Sequence, residues 1–165
     1  MSNSIILNHE QISKKIKRIA YQILEVNSQE SEIVLAGIAA NGYLFAELLK
    51  IELVSISKIQ ITLCKVIINK KSPLSPVKTS ISSDEYTNKS LVLVDDVLDS
   101  GTTLMYGIKH FLEVPLKQFK TAVLVNRNHK KYPVKADFKG VSLATTLQDT
   151  ITVEFKEENN LAYLA

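Results

Sequence analysis

A single cysteine, Cys64, rules out an internal disulfide. Cys/His pairs at zinc-binding spacing are also absent. No apolar run approaches the ~20 residues that a membrane-spanning helix needs. The chain opens without a basic-then-apolar leader, which points to the cytoplasm and to no membrane partner. Its five glycines are too few and too scattered for a dinucleotide fingerprint, and no Gly-Lys-Ser/Thr triplet marks a Walker-type loop. Internal repeats and low-complexity tracts are missing too. What remains is a chain of 165 residues, 45% hydrophobic and 22% charged, sized for one domain around one core. Its net charge of +3 suits polyanionic small molecules and permits nucleic acid without requiring it.

Periodicity supplies the elements. Asn8 to Glu25 predicts an amphipathic helix, with Ile12, Ile16, Ile19, Ala20, Ile23 and Leu24 on one face and Lys14, Lys15, Lys17 and Arg18 largely on the other. Asn8 with Gln11 reads as its cap pair. Ile33 to Ile38 predicts a buried strand, and Asn41-Gly42 turns into a helix carrying Leu44, Phe45, Leu48 and Leu49. Lys58 to Ile68 reads as a strand with Cys64 buried in it. Residues 69–89 lack periodicity, and a loop this long inside a compact domain is either functional or a solvated hairpin. A strand over Thr121 to Val125, a basic segment from Asn126 to Lys139, and short strands near Ile151–Val153 and Leu161–Leu164 complete the chain. The alternation predicts an α/β fold, with a mostly parallel sheet flanked by helices on both faces. Ligands in such sheets gather beyond the carboxyl ends of the strands.

One such end is rich in chemistry. Leu91 to Val94 reads as a buried strand, followed by Asp95-Asp96, then Asp99-Ser100-Gly101-Thr102-Thr103, then apolar positions Leu104, Ile108, Phe111 and Leu112 at helical spacing. Backbone N–H groups and hydroxyls at a helix N-terminus bind phosphate, with help from the helix dipole. Carboxylates accept from sugar hydroxyls or from a hydrated magnesium ion. Ser100 or Thr102 could instead merely cap the helix. Capping needs one such group, however, and three crowded carboxylates repel one another unless a cation or polyol occupies them.

The segment from Leu91 to Thr103 resembles the 5-phosphoribosyl-1-pyrophosphate (PRPP) motif of type I phosphoribosyltransferases. That resemblance implies a type I phosphoribosyltransferase-like fold, with a single domain over 1–165, a mobile loop at about 69–89 and a small hood at about 126–165. It also implies transfer of phosphoribose from PRPP to a nucleobase, giving a nucleoside monophosphate and pyrophosphate with Mg²⁺. Asp95 and Asp96 would meet the ribose hydroxyls or the metal, with only one of the two in close contact because strand neighbours point to opposite faces. Ser100, Gly101, Thr102 and Thr103 would hold the 5-phosphate. Asp99, of the type found in 6-oxopurine enzymes of the family, would act as catalytic base or as partner to the base; alternatively it orders the loop. Gly37 to Gly42 resembles the pyrophosphate loop, so Ala40, Asn41 and Gly42 become substrate-binding candidates. The family usually has Lys or Arg where this chain has Asn41.

Asn126-Arg127-Asn128-His129-Lys130-Lys131-Tyr132-Pro133, with Ala136-Asp137-Phe138-Lys139-Gly140, carries a second likeness. It resembles the pyrimidine-operon attenuation regulators, which are also uracil phosphoribosyltransferases. Arg127 would lie near the base or its phosphate partner, and backbone around Phe138 to Val141 would read the base edge. The alternative for Arg127, His129, Lys130, Lys131 and Lys135 is a solvated basic face. Three readings follow: an enzyme for a 6-oxopurine or uracil, a nucleotide- or PRPP-sensing regulator that binds RNA, and a weakly catalytic sensor. The resemblance also implies a homo-dimer or homo-tetramer.

Overall fold

The computed structural model describes residues 3–165. Its strands and helices run β1 (Ser4–Leu7), α1 (His9–Val26), β2 (Glu32–Ile38), α2 (Asn41–Ile56), β3 (Gln60–Ile67), β4 (Lys78–Thr79), β5 (Ser90–Leu98), α3 (Thr102–Phe111), β6 (Gln118–Arg127), β7 (Phe138–Leu143), β8 (Ile151–Glu154) and β9 (Leu161–Leu164). Six strands form one sheet in the order β4-β3-β2-β5-β6-β7, parallel except for β4. Strands 1, 9 and 8 form a separate antiparallel sheet. This is the α/β fold with a mostly parallel sheet that the sequence pattern predicts. No described helix is long and apolar enough to cross a membrane.

Burial explains the strand sequences. Leu91 to Val94 of β5 are fully buried because helices cover both faces of the sheet, so the strand is apolar without alternation. Buried residues of α1 and α2 share one cluster with Val92, Val94 and Leu124. On the other face Leu104 and Phe111 of α3 pack with Leu91, Leu93 and Val123. The Asn8 and Gln11 cap is reciprocal, each side chain accepting the other's backbone N–H at 2.9 Å. Strand order reverses direction at β2 and β5: the chain steps from β2 outward to β3, then returns to β5 on the other side. Their carboxyl ends therefore lie side by side at the switch point, where a crevice opens.

Three features differ from the sequence reading. The basic segment and the hood do not begin at 126, because β6 continues through Asn126 and Arg127 and β7 joins the main sheet. The smaller sheet is instead closed by β1, which four residues without periodicity did not reveal. Loop 69–89 is also tied down over much of its length. Its β4 pairs with β3 at Val66↔Thr79, Ser82 and Glu85 form a capping box, and Tyr86 is buried edge-on against Phe111 with ring centroids 5.0 Å apart. Residues 69–77 form the β3–β4 turn, and Pro73 to Val77 lie along α3 beside Tyr106, Lys109 and His110.

Phe111 joins these layers, with Phe119 edge-on at 6.1 Å and no exposed surface of its own. Phe111→Ala is expected to cost about 3–5 kcal/mol by urea unfolding, and a loss below ~1 kcal/mol would contradict this packing account.

Candidate active site

The site begins at the carboxyl end of β5. Asp95 is 5% exposed, and its Oδ1 accepts the Asp96 backbone N–H at 2.9 Å. Burial first, then the neighbouring Asp96 charge, pushes the Asp95 carboxyl well above the usual carboxylate range; Lys70 opposes the rise. Asp96 is half-buried, and its Oδ2 accepts from Asn41 Nδ2 at 3.1 Å. The adjacent acids are thus unequal, one turned inward and one half open.

Loop 99–103 folds around a single glycine. Gly101 has φ of +87°, the left-handed region, and serves as N-cap of α3 with no side-chain cap bond. The first N–H groups of α3 are therefore served by one contact, Thr102 N to Ser100 Oγ at 3.3 Å, while the Ser100 and Thr102 hydroxyls lie 3.0 Å apart. The Ser100 carbonyl accepts from the N–H groups of Lys131 and Tyr132 at 2.8 and 3.1 Å, which seats residues 131–134 behind the loop.

The β2–α2 loop meets the same end of the sheet. A Cβ on Gly42 would lie 2.7 Å from the Val94 carbonyl oxygen and 3.0 Å from Asp95 Cα, so only glycine allows this approach. The exposed Ala40 precedes it as the helix N-cap. Asn41 Nδ2 also donates to the Val153 carbonyl of β8 at 2.8 Å, linking the loop, the acidic pair and the smaller sheet.

Arg127 is not on a solvated face. It is 6% exposed, and its guanidinium donates to Asp99 Oδ1 at 3.1 Å, Thr145 Oγ1 at 2.5 Å and the Thr146 carbonyl at 2.5 Å. Arg127 therefore holds the half-exposed Asp99 side chain and the loop after β7, with its fork engaged by protein rather than left for a base or phosphate. His129 adds a contact from Nε2 to the Thr145 carbonyl. Lys131 and Lys135 do lie exposed, whereas Lys130 is half-buried. The expectation for Phe138 changes as well. Its side chain is buried in the core, its backbone pairs with Ala122, and the nearby Lys139 and Gly140 carbonyls accept from Arg18 at 3.1 and 2.7 Å. That backbone edge is thus occupied.

A cleft of about 320 Å³ results, bordered by Asp95, Asp96, Asp99, Ser100, Gly101 and Thr103, with Lys70 and Ile151 at its margin. Sequence reasoning missed both marginal residues. Lys70 had a signal, since it follows a predicted strand at its carboxyl end; Ile151 had none. Among the described residues no three His, Cys, Asp or Glu side chains converge into an all-protein metal cage. A carboxylate pair beside an open cleft does fit Mg²⁺, which takes one or two carboxylates and fills its remaining positions with water and substrate oxygens.

Residues 2–158 match the family model described as phosphoribosyl transferase domain. The chain is 33% identical over 162 residues to the bifunctional protein PyrR of Fusobacterium nucleatum, covering 93% of this chain and 91% of that protein. It is 32% identical over 167 residues to the PyrR of Staphylococcus aureus, covering 95% and 94%. Among solved structures, the hypoxanthine phosphoribosyltransferase of Trypanosoma cruzi superposes with a TM-score of 0.79 at 15% identity, covering 98% of this chain and 96% of that one. A hypoxanthine-guanine phosphoribosyltransferase of Bacillus anthracis gives 0.75 at 23%, covering 90% and 86%. At these identities the superpositions speak for the fold.

The inward turn of Asp95 has a consequence for stability. A carboxyl whose folded pKa is raised favours folding below its unfolded pKa, about 4, and loses that contribution as pH rises through the folded value. Asp95→Asn keeps the neutral shape at every pH. Without divalent cations, the urea midpoint of the wild type should therefore fall relative to that of Asp95→Asn as pH climbs above about 4. A constant gap between the two curves would show that Asp95 titrates normally.

Proposed function

This chain belongs to the phosphoribosyl transferase domain family, and on that premise we propose that it transfers the 5-phosphoribosyl group of PRPP to a nucleobase nitrogen. Pyrophosphate is the leaving group and a nucleoside monophosphate the product. The observation that carries the reading is the cleft itself, where two acids at the end of β5 meet a sparsely capped helix N-terminus.

Each residue then has a task. Backbone N–H groups of 100–103 and the Thr102 and Thr103 hydroxyls grip the 5-phosphate, where the α3 dipole adds to the attraction. Asp96 accepts from the ribose hydroxyls, and Asn41 holds its carboxylate in place. Asp95, behind it, fixes the Asp96 backbone. Magnesium, held by Asp96 with or without Asp95 and by substrate oxygens, would neutralise charge on the departing pyrophosphate. As the sugar becomes cationic at C1, the anionic groups beneath it stabilise that charge.

Asp99 faces the base. Arg127 engages Oδ1, leaving Oδ2 to accept an N–H from the incoming ring. An acceptor of this kind suits the imidazole N–H of a 6-oxopurine, which makes hypoxanthine or guanine the favoured base. Uracil is the second candidate, favoured by the likeness of residues 126–140 to the pyrimidine-operon regulators. The exposed Lys131, whose N–H donates to the Ser100 carbonyl, and the exposed Lys135 likewise support RNA binding as an additional role. Self-association into a dimer or tetramer would be served by the exposed apolar side chains of Leu44, Ile51 and Val54 on α2.

Asp95→Asn combined with Asp96→Asn should abolish pyrophosphate release from PRPP while circular dichroism stays native, and unchanged turnover would rule the assignment out. Asp99→Ala should lower kcat by roughly 100-fold or more with little change in KM for PRPP; equal losses in both would make Asp99 a binding group only. A panel of hypoxanthine, guanine, xanthine, uracil and orotate ranks the bases, and purine turnover is expected to lead. If RNA is a ligand, retention of pyrimidine-leader RNA in a gel-shift series should weaken steeply with added salt; no retention at low salt ends that role.

A further inference from the structure

The loop that would meet the diphosphate of PRPP, Gly37 to Gly42, contains no cationic residue. Its one polar side chain is engaged elsewhere, since Asn41 donates to Asp96 and to the Val153 carbonyl. A leaving pyrophosphate gathers negative charge in the transition state, and a fixed positive group there is worth most where water is scarce. Three carboxylates already border the cleft. Magnesium can offset part of that charge, but a protein cation is still wanted.

Lys70 is the one cationic side chain among the described residues that line the cleft. It stands three residues beyond β3, whose parallel pairing with β2 runs from Glu32↔Gln60 to Ile38↔Val66. A further bond from Ala39 N–H to the Val66 carbonyl, 2.8 Å, ties the β2–α2 loop to this end of β3. The turn after β3 is itself held in shape. Asn69 Oδ1 accepts the N–H groups of Lys71 and Ser72 at 3.0 and 3.1 Å, placing Lys70 inside a closed turn. Its ammonium forms no ion pair among the described residues, and it borders the same cleft as Asp95 and Asp96. Lys65, within β3, is differently engaged: its ammonium sits 4.8 Å from the Tyr43 ring centroid.

We propose that Lys70 is the protein cation of the diphosphate subsite, delivered by the β3–β4 turn in place of a basic residue in the β2–α2 loop. The inference rests on the phosphoribosyl-transfer reading above. Lys70 pairs with the diphosphate oxygens and makes no contact with the 5-phosphate or the base. Its removal therefore weakens ligands that carry a diphosphate and spares those that do not.

Calorimetry with two probes in magnesium buffer tests this: inorganic pyrophosphate, and IMP or UMP, whichever the wild type binds. Lys70→Gln should weaken pyrophosphate binding by about tenfold to a hundredfold, the worth of one charge-assisted contact, and leave the monophosphate within about twofold. Lys70→Arg should retain pyrophosphate affinity, and Lys71→Gln on the neighbouring residue should change neither ligand. Wild-type pyrophosphate affinity in Lys70→Gln overturns the proposal, as does an equal loss of both ligands, which would mark a role in shaping the turn. Either result leaves phosphoribosyl transfer standing if the wild type binds both probes. A wild type that binds neither probe removes the transfer reading and Lys70's role together.

Discussion

Two backbones touch without a side chain between them where Gly42 rests against Val94 and Asp95. Much of the cleft's geometry depends on that contact. It brings the start of α2 onto the end of β5, so that Asn41 can reach Asp96 on one side and the Val153 carbonyl on the other. The smaller sheet is thereby pinned over the acids, and Phe155 stacks on Phe45 of α2 at 6.0 Å to reinforce the same join. A methyl group at position 42 would push the two loops apart.

Charge is arranged around this join with little redundancy. Asp95 is turned inward and its carboxyl is raised by burial, Asp96 is half open and held by an amide, and Asp99 is held by a buried guanidinium. Truncating Arg127 would release both Asp99 and the loop at Thr145 and Thr146, because one fork serves all three partners. The positive groups arrive from other elements: Arg127 from β6 and Lys70 from the turn after β3. The cleft is thus assembled from distant parts of the chain, each short of a complete site.

That distribution explains what the sequence revealed. The β5–loop–α3 unit is contiguous, so its apolar run, paired acids and hydroxyl-rich turn could be read directly, and the parallel sheet followed from alternation of elements. Arg127 could not be read as buried. It sits in a run of basic residues, and its partners Asp99, Thr145 and Thr146 lie 18 or more residues away. Strand β7 was hidden for a related reason, since its Lys139 and Gly140 break the apolar pattern while Arg18 closes its edge from α1. Strand β1 gains its identity only by pairing with β9 at the far end of the chain. Local patterns disclosed the β5–loop–α3 side of the cleft, and long-range pairing supplied the Arg127 side.

The proposed transfer requires the cleft at the end of β5 to recognise a phosphorylated ribose. Titrating PRPP into the wild-type protein with magnesium present, in a calorimeter, measures that recognition without assuming any base or turnover. A saturable single-site heat, lost when Asp96 is replaced by alanine, is the predicted outcome. Absence of heat from PRPP and from every nucleoside monophosphate would contradict it.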